Sequence, residues 1–84
     1  MLGDLTTLDQ LIADVGGAGS EGTQSRSSHG LLLEHLRSAR SSFLGSMPGE
    51  YRSSLQDAKE SATCICDKNA QADIRKRLQN LIGN

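Results

Sequence analysis

HGLLLEHLRSARSSFLGSMPGEYRSSLQDAKESATCI, residues 29–65, decides the fold. In its first half Leu31, Leu32, Leu33, Leu36, Ala39, Phe43 and Leu44 give the helical period, and the three leucines in a row make the start of the helix apolar on two sides. Its second half steps through Tyr51, Leu55, Ala58, Ala62 and Ile65 at intervals of four, three, four and three. That is a narrow seam of the coiled-coil kind. Between them, Gly45-Ser46-Met47 is short enough to make the two helices neighbours. Pro48 is pre-set for the first turn of the second helix, and Glu50 puts a negative charge at its positive end. The expectation is an antiparallel helical hairpin, Leu31–Leu44 and Pro48–Ile65, with Gly45 as the stop and Met47 as the cap.

Beyond Ile65 the seam would need apolar residues near 69, 72 and 76, but the chain offers Asn69, Ala72 and Lys76. The apolar residues Ile74, Leu78, Leu81 and Ile82 lie on a different phase. A break at Cys66-Asp67-Lys68-Asn69 follows, with Asp67 or Asn69 capping a final helix that ends near Gly83.

Before the hairpin, Leu5, Leu8, Leu11, Ile12 and Val15 make one stripe of a helix over residues 3–15, with Gly16-Gly17 as its terminator. Residues 16–28 contain four glycines, four serines and no large apolar side chain, the composition of a flexible linker. The expected organisation is therefore an N-terminal amphipathic helix (1–15), a Gly/Ser linker (16–28), and a helical hairpin plus C-terminal helix (29–84).

Composition agrees with an all-α fold, a small helical bundle built on that hairpin. Twelve leucines, one Val, one Phe, one Tyr and no Trp suit packed helices better than sheets. Eighty-four residues form a single small domain with a marginal core, for which self-association is a common remedy. The net charge of −1 supplies no global field to recruit nucleic acid or an anionic membrane. The charge is uneven, however: residues 1–28 carry −3 and residues 29–84 carry +2, so the two parts attract.

Most chemistries fit these residues poorly. Cys64 and Cys66 have one residue between them and His29 and His35 have five, unlike the ligand spacing of structural zinc sites. The histidines would sit about 120° apart around a helix. No metal and no cofactor is expected, and a three-helix body offers little concave volume for catalysis, so no enzyme is expected either. Two cysteines are too few for a disulfide framework, and the chain shows neither a leader pattern nor an apolar run near 18 residues. Free thiols, a cytoplasmic location and no membrane contact are the expectation.

What remains is apolar surface in excess of what one two-helix seam can hide. Burying a leucine is worth roughly 1.5–3 kcal/mol. Leu5, Leu8, Ile12 and Val15, the Leu32 and Leu33 cluster, and Ile74, Leu78 and Leu81 must therefore close a bundle or an interface. The functional expectation is a small, non-enzymatic protein–protein interaction module: an adaptor, assembly factor or inhibitor of a larger protein partner. It would self-associate as a homodimer or higher oligomer through these leucine-rich faces. The alternative is a helical regulator that contacts nucleic acid or an anionic ligand through Arg75, Lys76 and Arg77, the one basic cluster.

Overall fold

Four helices pack in a closed ring in the computed structural model, which describes residues 2–18 and 26–83. They are α1 (Leu2–Ala18), α2 (Arg26–Leu44), α3 (Pro48–Ser61) and α4 (Lys68–Ile82). Helix α2 lies against α1 and α3, and α4 lies against α3 and α1. The chain is an all-α small bundle whose interior receives side chains from every helix. Leu8, Leu11 and Val15 come from α1, Leu32, Leu36 and Ala39 from α2, Leu55 and Ala58 from α3, and Ile74 and Leu78 from α4. Ala62 and Cys64, in the connection between α3 and α4, complete the core.

The boundaries differ from the sequence expectation at three places, each for a local reason. Helix α1 does not stop at Gly16-Gly17 but continues to Ala18. Packing holds it there: Gly16 lies against Leu33, and the His29 ring, as the Nε2–H tautomer, donates to Val15 O at 2.9 Å. Helix α2 runs from Arg26, so residues 16–18 and 26–28 of the expected 16–28 linker are helical; its residues 19–25 lie outside the described residues.

The second difference is in the elbow between α2 and α3. Ser46 N donates to Phe43 O (3.2 Å) and Met47 N to Ser42 O (2.9 Å), the paired bonds of a Schellman cap. The left-handed residue of that cap is Ser46, at φ 58°, and not the expected Gly45. Gly45 is small for another reason: a Cβ there would stand 3.3 Å from both Met47 Cε and Ser41 O. A left-handed conformation costs a non-glycine residue about 1–2 kcal/mol. Ser46→Gly is therefore expected to raise stability by about 0.5–1 kcal/mol, after allowing for the freer unfolded chain. The midpoint of urea unfolding reads this directly.

The third difference is the end of α3, at Ser61 rather than Ile65. Residues 62–64 tighten into a 3-10 turn and Ile65 is extended at φ −71°, ψ 125°. Helix α4 makes that break affordable by supplying partners. Gln71 Nε2 donates to Thr63 O (2.9 Å) and Ile65 O (3.4 Å), covering carbonyls that the interrupted helix leaves open. Asp67 caps α4 as its sequence suggests, with its carboxylate accepting from Asn69 N (2.9 Å) and Ala70 N (3.4 Å). The stretch from 48 to 82 is thereby two helices, as the change of apolar phase implies.

The α3 seam reads as its spacing implies. Leu55, Ala58 and Ala62 are fully buried, and Tyr51 and Ile65 pack against the core. The two alanines let the neighbouring backbones approach.

Candidate interaction surface

Closing the ring uses up the leucine faces. Of the nine residues expected to meet a partner, Leu8, Val15, Leu32, Ile74 and Leu78 are buried in the chain's own core. Leu33, Ile12 and Leu81 are partly buried and packed against that core, and Leu5 is half-buried. Five of the nine are therefore inside the bundle, and the other four keep part of their surface exposed. The N-terminal stripe forms one wall of the bundle, packed against α2 and α4 of its own chain.

Charge complementarity sets how α1 lies. Asp9 accepts from Arg40 Nε of α2 at 2.7 Å, and Asp14 accepts from Arg77 of α4 at 2.8 Å. Both pairs join the acidic N-terminal segment to the basic remainder. The Arg77 and Gln10 hydrogen bonds hold the Asp14 carboxyl below its ordinary value. That contribution is present above the ordinary carboxylate range and fades as the pH falls through it. These groups are largely exposed, and such pairs contribute little compared with buried leucines. They select the register of α1, while apolar burial supplies its affinity.

The same contact changes the basic cluster. Arg77 also pairs with Asp73 on its own helix, and its partners Asp73 and Asp14 raise its pKa further. Arg75 and Lys76 are exposed, so the three cations do not act as one free patch. The thiols divide as well: burial pushes the Cys64 pKa up, and Cys66 faces solvent. His29 binds the end of α1. Among the described residues no group of three or more His, Cys, Asp or Glu side chains is arranged to hold a metal ion. No helix among them is long and apolar enough to cross a membrane.

The apolar surface that stays exposed lies elsewhere. Leu31 is 51 % exposed near the start of α2; Leu44 is 57 % exposed and Met47 43 %, and these two belong to the α2–α3 elbow. Beside them is a dimple of about 230 Å³ lined by Phe43, Met47, Pro48 and Tyr51, with Ser42 and Ser46. Phe43 and Tyr51 pack on each other in its lining, with ring centroids 5.4 Å apart and planes tilted by 57°. From Met47 a second, larger groove of about 850 Å³ runs between α2 and α3. Its walls are polar and small: Ser38, Ser41, Ser53 and Ser54, with Gly30, Glu34, Arg37 and Glu50. The sequence reading missed the elbow because it assigned Leu44 to the hairpin stripe and Met47 to capping. The usable signal was that Leu44 directly follows Phe43, so it cannot share its face.

Tyr51 adds a local tension. Its hydroxyl is buried and has no hydrogen-bond partner among the described residues. Burial, and secondarily the charge of Asp4, raise its pKa. An unmet buried hydroxyl costs about 1–3 kcal/mol. Tyr51→Phe keeps the ring and removes the hydroxyl, so it is expected to raise stability by about 1 kcal/mol. A thermal melt in which the variant loses stability would mean that the hydroxyl is paired.

Comparison with protein-family models, with curated proteins and with solved structures finds no match.

Proposed function

We infer that this chain is a non-enzymatic interaction module that presents the α2–α3 elbow to a protein partner. One observation carries the reading: Met47 stands exposed in the lining of an apolar dimple, and Leu44 is exposed at the same elbow. A partner side chain such as Leu or Phe would fill the dimple over Phe43 and Tyr51. Met47 would close over it as a flexible rim, and Leu44 would add apolar area to the contact at the same elbow. The serine-lined groove offers a polar margin to the same contact.

The test is a quantitative pull-down from the cells that make the protein, comparing the parent chain with Leu44→Asp/Met47→Asp. Both side chains are exposed, so the double variant should keep its helix content and thermal midpoint. A protein captured by the parent should be depleted by roughly tenfold or more, the effect of placing two carboxylates in an apolar contact. Capture that is equal for both chains would move the contact off the elbow. Absence of any specific capture would remove the interaction reading.

A further inference from the structure

Helix α2 has an outer face with no partner in the folded chain. Gly30, Glu34, Arg37 and Ser41 are all exposed and follow one another at steps of four, three and four. At 100° per residue they fall within an arc of about 60°, along a line about 16 Å long. They also line the groove between α2 and α3. Glu34 and Arg37 make no ion pair with each other or with any other described residue. This is therefore a straight helical face with two unpaired opposite charges at its centre and a small residue at each end.

We propose that this face pairs two copies of the chain through an antiparallel, two-fold contact between their α2 helices. The order of residues is what selects a second copy as the occupant. When α2 is laid antiparallel on itself with the axis between positions 35 and 36, Glu34 faces Arg37 of the second copy. Arg37 faces Glu34 of the second copy, and Gly30 faces Ser41 at both ends. A two-fold interface needs a patch that is its own complement, and these four positions satisfy that in charge and in size. Gly30 and Ser41 leave room for the backbones to approach, and Ser53 and Ser54 keep the α3 wall low. Glu50, the third charge lining the groove, stands toward the elbow, where the same pairing brings Arg26 of the second copy.

The contact covers about three turns of one helix, at the small end of specific interfaces. The dimer should therefore be weak, with the charge pairs choosing orientation more than strength. This proposal deepens the interaction-module reading and rests on it, but it uses a different surface from the elbow.

Charge reversal tests it in four samples by sedimentation velocity, from about 10 µM to about 1 mM. The parent chain should shift from monomer toward dimer across that range. Glu34→Arg and Arg37→Glu, each alone, set like charges opposite one another at both sites. Each should weaken dimerisation by about tenfold or more. An equimolar mixture of the two variants makes every opposed pair complementary again and should recover a dimer, now a heterodimer. A merely destabilised helix cannot produce that recovery. A parent chain that stays monomeric overturns the proposal. So do reversals that dimerise as the parent does, and so does a mixture that stays monomeric. None of these changes touches Leu44 or Met47, so failure here with elbow-dependent capture intact sinks the dimer alone. A dimer without elbow-dependent capture sinks only the elbow contact.

Discussion

A chain lacking residues 1–18 is expected to lose cooperative folding altogether. In the ring, α1 contributes Leu8 and Leu11 at full burial and Val15 nearly so. Burying three such side chains contributes roughly 5–9 kcal/mol. A chain of this length has a net stability of about 4–12 kcal/mol in all. The contribution of α1 therefore matches the whole margin, even when the area estimate is taken as an upper bound. Removing it also uncovers the surfaces of α2 and α4 that carry His29, Leu33, Arg40 and Arg77. The truncated chain should show weak far-UV circular dichroism, a broad melt and concentration-dependent association through its bared leucines. A truncated chain that keeps its helix content and melts sharply would make α1 an appendage and the remaining helices a domain of their own.

How much of this was legible in the residues depends on the range over which each signal acts. The break between α3 and α4 was readable, because the apolar phase of Tyr51 to Ile65 cannot be continued to Ile74 and Leu78, and Asp67 is a strong local cap. The buried seam of Leu55, Ala58 and Ala62 was readable from spacing alone. The end of α1 was not. A Gly-Gly pair is a stop signal in isolation, and only contact with His29 and Leu33, far along the chain, carries the helix past it. The early end of α3 depends on Gln71 in the same way. Ser46 took the left-handed position beside a glycine because Gly45 was already needed for close approach to Met47 and Ser41. The candidate surface suffered most from this limit. Periodicity identifies which residues want burial, but not whether their own chain or another covers them. Leu8, Val15, Leu32, Ile74 and Leu78 lie in the chain's own core and Leu5, Ile12, Leu33 and Leu81 are partly covered, while Leu31, Leu44 and Met47 stay exposed.

The second large effect separates these two classes of leucine on one helix. Leu36→Ala should lower stability by about 2–5 kcal/mol, whereas Leu44→Ala should change it by less than about 0.5 kcal/mol. Both lie on α2 and have the same helix propensity, so the comparison cancels everything except environment. Leu36 is fully buried, and the ring around it closes on both sides, through α1 and through α3. Truncating it leaves a cavity that neither neighbour can collapse into without pulling α2 away from the other. The loss should therefore fall toward the upper part of that range. Leu44 is more than half exposed at the last turn, where nothing rests on it. Equilibrium urea unfolding of the two variants gives the contrast, provided the slope of the transition is unchanged between them. Equal losses would mean that Leu44 is covered in solution, and the elbow would then be an internal contact rather than a surface presented to a partner.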